Sequence, residues 1–370
     1  MKTIAVNWRL ICEYILFHIC KDVINSVKLK FNELISGNLL AVFGLVANVL
    51  SIVVLSHHKM RSSTSYYLIT LAVYDNIILI AMVVFFNLPF LSTRVTEMES
   101  YFHTYMYAVP IGYPLSLAAQ MGSIYTTVAF TVERYIAVCR PLHAANTCTK
   151  SRARKTMAII LLWVLLYNIP RYFQYTVQLK FNPDNNITQV VRNETDFGQH
   201  PIFRHVYLIY FQLFFMFLIP FIILLVLNIA LMKAVKRSRQ TLQQISSTSR
   251  TNENNLTVML ISVIFVFLVC QFPSIIDNIV VAVDPLNRRY ESFTYAKFYT
   301  ISTFMIEINS AVNFILYCLF GKKFRLVFLH IFGLRKFRQR LQYRSTLYRS
   351  QTINKGNSHE LEVSLVGRPC

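Results

Sequence analysis

The sequence predicts an all-α fold, a seven-transmembrane helix bundle followed by a short cytoplasmic membrane-surface helix. Three observations carry that expectation. Of the 370 residues, 55% are hydrophobic and only 15% charged, and the mean hydropathy is positive. Apolar blocks long enough to cross a hydrocarbon layer of about 30 Å as helices recur along the chain. Lys and Arg gather in alternate loops, as they do on the cytoplasmic side of membrane proteins.

The elements follow in order. Residues 1–38 form an N-terminal segment expected outside; "ICEYILFHIC" within it is apolar but short, and Glu13 and His18 interrupt it. It suits neither a span nor a signal peptide. Seven spans are predicted across residues 39–320: Leu39–Ser56, Tyr66–Phe90, Tyr107–Val138, Thr156–Tyr175, Val206–Met232, Leu256–Val283 and Phe298–Phe320. Several show no polar face, unlike a helix on the surface of a soluble domain. Residues 321–334 place Phe324, Phe328 and Phe332 one turn apart beside Lys322, Lys323 and Arg325, the pattern of a helix lying on the inner membrane face. Residues 335–370 read as a basic, Ser- and Thr-rich cytoplasmic tail.

With the N-terminus outside, the cytoplasmic segments hold 24 of the 37 Lys and Arg residues, which supports that orientation. Glycosylation sequons at Asn186 and Asn193 then fall outside, while one at Asn255 falls inside, where it cannot be used. The pI near 9.7 fits a basic rim facing anionic inner-leaflet lipid. No zinc spacing or aromatic-interleaved basic groove points to nucleic acid. No Ser/His/Asp constellation, Gly-rich phosphate loop or metal-spaced Cys/His cluster points to an enzyme. The absence of internal repeats counts against most transporter folds.

Polar groups inside the spans raise functional questions because intramembrane charge is expensive. Asn48 and Asp75 lie in the first two spans, Ser123 in the third, and Asn309, Ser310 and Asn313 in the seventh. A carboxylate, amides and hydroxyls of this kind can surround a small cation; they can equally hydrogen-bond helix to helix. Glu307 and Gln271 read as the floor of an outward cavity or as interhelical hydrogen bonds. Pro170, Pro220 and Pro273 interrupt the fourth, fifth and sixth spans and permit kinks. Of the seven cysteines only Cys12 and Cys20 are candidates for a bridge outside, so no loop disulfide is expected.

These features together resemble the rhodopsin-like (class A) G-protein-coupled receptors from about Leu39 to Leu334. "ERY" at 133–135 looks like the family's Asp/Glu-Arg-Tyr motif, "CQFP" at 270–273 like Cys-Trp-x-Pro, and "NFILY" at 313–317 like Asn-Pro-x-x-Tyr. Asn48, Asp75 and Trp163 match signature positions in the first, second and fourth spans. "AAQMGSIYTTVAFTVERYIAVCRPL", "SRARKTMAIILLWVLLYNIPRY" and "NSAVNFILYCLFGKKFR" look most like invertebrate receptors for FMRFamide-type neuropeptides. Ser116 stands where amine receptors carry an aspartate. The chain departs from the pattern at Gln271, Phe314, Asn228 and Val109.

The resemblance implies a plasma-membrane receptor that binds an extracellular, FMRFamide-like peptide and activates a heterotrimeric G protein, with no cofactor beyond an allosteric sodium ion. An ion-coupled transporter or channel, or a receptor-like protein that does not signal, are the alternatives. Helical phase and the resemblance place Tyr113, Ser116, Leu117, Gln120, Gln212, Asp277, Asn278, Tyr299, Thr303 and Glu307 at the ligand. Asp277 and Glu307 are the acids expected to meet a ligand guanidinium, with Glu97, Glu99 and Asp284 as rim alternatives. Asp75, Ser123, Asn309, Ser310 and Asn313 match the family's sodium pocket. The implied activation switch comprises Glu133, Arg134 and Tyr135, with Glu253 opposite Arg134, then Ile124, Pro220 and Phe267, and finally Gln271, Pro273 and Tyr317. Arg134 and Leu142 are expected to touch the G protein.

Overall fold

The computed structural model describes residues 30–88, 99–182, 187–242, 264–277, 279–280 and 293–333. Seven helices occupy the predicted spans: α1 Lys30–Ser56, α2 Ser63–Met82, α3 Glu99–Cys139, α4 Lys150–Asn168, α5 Ile219–Leu242, α6 Ile264–Asp277 and α7 Phe293–Phe320. All but α6 are long and apolar enough to cross a membrane, α5 together with residues 202–218 ahead of it. The flanks predicted for the sixth span lie outside the described residues. Ser62 and Thr149 cap α2 and α4, accepting from Ser65 N at 3.2 Å and Arg152 N at 3.3 Å. Each satisfies an end donor that a helix cannot satisfy internally.

Several helix ends differ from the sequence expectation: α1, α3 and α7 open earlier, at Lys30, Glu99 and Phe293, and α2 gives way at Met82 to a wider turn, Val83–Asn87. The fourth span was expected to run to Tyr175, but α4 stops at Asn168 and tightens into a 3-10 turn, Ile169–Phe173. Pro170 has no N–H to donate, so the α-helical ladder cannot continue through it. Ahead of α5, Ile202–Leu218 is wound more widely, with i→i+5 bonds such as Ile219 N to Phe214 O. The chain returns to α-helix just before the donorless Pro220. α3 also carries Pro110 and Pro114 within its length, beyond the three prolines singled out from the sequence.

α3 packs against α2, α4 and α5, and α1 against α2 and α7. The core between α3, α4, α5 and α6 is Met121, Ile124, Val164, Leu224, Ile264 and Phe267. A second cluster of Tyr74, Ile78, Met82 and Ala119 joins α2 to α3. Close approach depends on glycine: a Cβ on Gly122 would stand 2.5 Å from the Tyr74 ring. Large apolar side chains such as Ile159, Leu162, Val226 and Phe265 point outward. That face suits lipid, where outward apolar surface carries no cost.

The connection between α4 and α5 holds a hairpin that the sequence reading did not foresee. β1 Tyr175–Asn182 pairs antiparallel with β2 Ile187–Glu194, Tyr175 opposite Glu194. Its signal was present: Val177, Leu179 and Phe181 alternate with polar residues, and Pro-Asp-Asn-Asn follows at 183–186. The helix α8, Lys322–Ile331, has Phe324 and Val327 buried and the rings of Phe328 and Phe332 4.8 Å apart.

Candidate functional site

Three polar layers lie along the bundle. The middle layer forms where α1, α2, α3 and α7 bring their few polar residues together. Asp75 is fully buried; its Oδ1 accepts from Ser123 Oγ at 3.1 Å and its Oδ2 from Asn313 Nδ2 at 2.7 Å. Asn48 Nδ2 donates to the backbone oxygen of Ser310 at 2.9 Å. Asn48 Oδ1 is buried and without a hydrogen-bond partner, and the Ser310 hydroxyl lies beside the Asp75 carboxylate. Asn309 is buried on the same helix, with no hydrogen bond to this group. The layer is thus a carboxylate with hydroxyl and amide oxygens nearby, a donor set that suits a hard monovalent cation. Among the described residues there is no cluster of His, Cys, Asp and Glu able to hold a metal.

The second layer lies at the end of the bundle that carries the hairpin. Tyr113, Ser116, Leu117 and Gln120 are half-buried along α3. The Ser116 hydroxyl is engaged within its own helix, donating to Tyr113 O at 2.7 Å. Thr303 does likewise, to Tyr299 O at 3.0 Å. Tyr175 of β1 neighbours Tyr113, and the Arg192 guanidinium stands 4.6 Å from the Tyr175 ring centroid. Burial pushes the Tyr175 phenol above its ordinary range, against the pull of Arg192. Asp277 Oδ1 accepts from the Tyr295 hydroxyl. Gln212 Oε1 accepts from Arg171 Nη2.

Glu307 turns away from these groups. It is 2% exposed, and its carboxylate lies 3.3 Å from where a Cβ on Gly37 would be, beside the Asn87 amide. Asn87 in turn donates to Asn38 Oδ1 at 3.2 Å. Glu307 therefore sits in the seam of α1, α2 and α7, in the interhelical environment that was one of its two sequence readings. Asn278, Asn186, Glu97, Asp284 and Glu253 lie outside the described residues. Glu99 opens α3, and Asn193 is exposed on β2.

The third layer closes the opposite end. Arg134 Nη2 meets Glu133 Oε1 at 2.9 Å, and the same oxygen accepts from the Ser63 hydroxyl at the start of α2. Cys148 Sγ contacts Glu133 O at 3.7 Å. Tyr135 is half-buried, whereas Leu142 is 90% exposed. Between the layers, Ile124 and Phe267 share the central core, and Pro220, Gln271 and Tyr317 are buried. Pro273 is half-buried. Gln271 Oε1 lacks a partner.

Sequence reasoning passed over Arg171, Asn38 and Asn87. A signal for the first existed, since a charged residue at the edge of an apolar span is a functional candidate in its own right. Trp163, matched from the sequence, packs edge-on to Phe215 at 6.0 Å and beside Tyr167 at 5.9 Å.

The chain is similar to several known receptors. The chain is 30% identical over 346 residues to the FMRFamide receptor of Drosophila melanogaster, covering 92% of this chain and 61% of that protein. It is 34% identical over 134 residues to an FMRFamide peptide receptor of Caenorhabditis elegans, covering 36% of this chain and 31% of that one. Over 131 residues it is 34% identical to the human thyrotropin-releasing hormone receptor, covering 35% and 31%. The chain thus spans less than two thirds of the length of these relatives. The 7 transmembrane receptor (rhodopsin family) is matched over residues 47–317, from the helix of Asn48 to the buried Tyr317, and the chain belongs to that family.

Proposed function

We propose that the chain is a plasma-membrane receptor, N-terminus outside, that binds an extracellular amidated peptide of the FMRFamide type and activates a heterotrimeric G protein. The observation that carries this reading is the 30% identity across 92% of the chain to a receptor named for FMRFamide. The layer at the hairpin end supports it. An Arg-Phe-amide terminus needs an acid for its guanidinium and an aromatic wall for its ring; Asp277 supplies the first and Tyr113 with Tyr175 the second. Glu307, buried in the seam of α1, α2 and α7, leaves Asp277 as the acid this site offers. At the other end, Leu142 offers an exposed apolar contact and Arg134 a cation to the G protein.

Cells expressing the chain with a G-protein readout should respond to a peptide in a panel of amidated peptides. Asp277→Asn should then lower potency toward Arg-containing peptides at equal surface expression. Silence toward the whole panel, or undiminished potency in this variant, overturns the reading. We also infer that Asp75, Ser123, Ser310 and Asn313, with Asn309 beside them, hold a sodium ion that favours the inactive state. The Ser310 hydroxyl beside the Asp75 carboxylate and the unpartnered Asn48 Oδ1 support this, because oxygens gathered around one buried acid suit a hard cation.

A further inference from the structure

At the hairpin end of the bundle stands a buried cation with no counter-ion among the described residues. Arg171 follows Pro170 in the turn that closes α4 and is only 7% exposed. Its Nη2 donates to the Gln212 amide oxygen, and its guanidinium carbon lies 5.7 Å from the Tyr207 ring centroid. Its Nε is buried with no partner. The ion pairs among the described residues are Arg134 with Glu133 and Arg204 with Glu194; neither involves Arg171. A guanidinium cannot shed its charge. Its partners, the Gln212 amide and the Tyr207 phenol, are neutral, so no opposite charge among the described residues offsets its desolvation.

The surroundings point the same way. Arg192 adds a second cation over Tyr175, while Glu194 opposite that tyrosine is already paired with Arg204. Asp277 stands apart, on α6. A peptide whose basic end meets Asp277 would bring a negative group to Arg171. Gln212 lines the proposed ligand site, and its amide oxygen occupies one place that a carboxylate oxygen would take.

We propose that Arg171 binds an acidic side chain of the peptide and makes the receptor select ligands that carry one N-terminal to their Arg-Phe-amide end. The proposal rests on the peptide reading above. Guanidinium–carboxylate bonds are among the strong, geometrically demanding ones, and one such contact corresponds to a preference of about tenfold or more.

The test compares Phe-Met-Arg-Phe-amide extended at its N-terminus by one to three residues, with Asp or Asn at each added position. On the full-length receptor, an Asp peptide should exceed its Asn counterpart in potency by about tenfold or more at one of these positions. Arg171→Gln should bring that ratio near one, and Arg171→Lys should restore part of it. Gln212→Glu should also abolish the ratio, by giving Arg171 an internal partner; this variant decides the matter if Arg171→Gln fails to reach the surface. A ratio kept in Arg171→Gln, or absent from the responsive wild type, overturns the role of Arg171 alone. A wild type silent to every peptide overturns the peptide reading and this proposal with it.

Discussion

Asn313 Nδ2 donates to Asp75 Oδ2 over 2.7 Å, tying α7 to α2 across 238 positions of the chain. Ser123 holds the other carboxylate oxygen from α3. One buried acid thereby fixes three helices relative to one another. Any ion that enters beside it acts on all three.

Sodium should therefore lower agonist affinity, because a ligand shifts a conformational equilibrium only by its differential affinity for the two states. Agonist binding would be titrated with NaCl against choline chloride at constant ionic strength. Asp75→Asn should remove the sodium effect. If affinity in the variant still falls with sodium, the ion binds elsewhere.

Arg134 and Glu133 form the pair found at the other end of the bundle, and Ser63 holds that glutamate from α2. Glu133→Gln should raise ligand-independent signalling several-fold, in keeping with a partly exposed pair contributing about 1 kcal/mol. Arg134→Ala should impair coupling while peptide binding persists. Glu253→Ala tests the second partner expected from the sequence; basal activity unchanged at matched surface expression leaves Glu133 as the sole neutralising group.

Phe267 is buried in the core that also contains Ile124. Phe267→Ala removes a ring from packed surroundings, a change that costs about 3–5 kcal/mol in soluble cores. Maximal signalling should fall more than peptide affinity, and the purified receptor should melt at a lower temperature. A lower melting temperature with normal signalling would reduce Phe267 to packing alone.

Gly44 of α1 faces α2 and α7. A Cβ there would lie 2.7 Å from Leu79 Cδ1, 2.8 Å from Ala311 Cβ and 3.1 Å from the Ala311 Cα. Backbone cannot swing aside, so Gly44→Ala should cost about 1–3 kcal/mol and lower thermostability in detergent. A variant as stable as wild type would mean that α1 can move outward freely.

Asn193 is exposed on β2, its Nδ2 donating to Gln178 Oε1 at 3.3 Å. With the N-terminus outside, it should carry a glycan. Asn193→Gln should increase mobility on a gel, and glycosidase treatment should erase the difference between variant and wild type. Equal mobility before treatment would remove Asn193 as an acceptor.

Some of this was legible along the chain. The hairpin is written in the alternation of Val177, Leu179 and Phe181, but eight residues of alternation beside a long apolar block are a weak signal next to the span. Arg171 was passed over for a similar reason: the fourth span was drawn through it to Tyr175. Nothing linear could have placed Glu307 beside Gly37 and Asn87. Its two readings differ only in the rotation of α7 about its axis.

The sequence by itself determined that seven segments span a membrane, because apolar length and the spacing of basic loops are properties of the chain alone. It also determined which polar residues each span contains. Only the tertiary structure decided who meets whom: Asp75 with Asn313 and Ser123, Glu133 with Ser63 and Arg134, Arg171 with Gln212. Helical period sets the face on which a side chain stands, whereas its partner depends on which helix lies opposite, at what rotation and how closely. Those are settled by packing at points such as Gly44 and Gly122, where the absence of a side chain lets neighbouring helices approach.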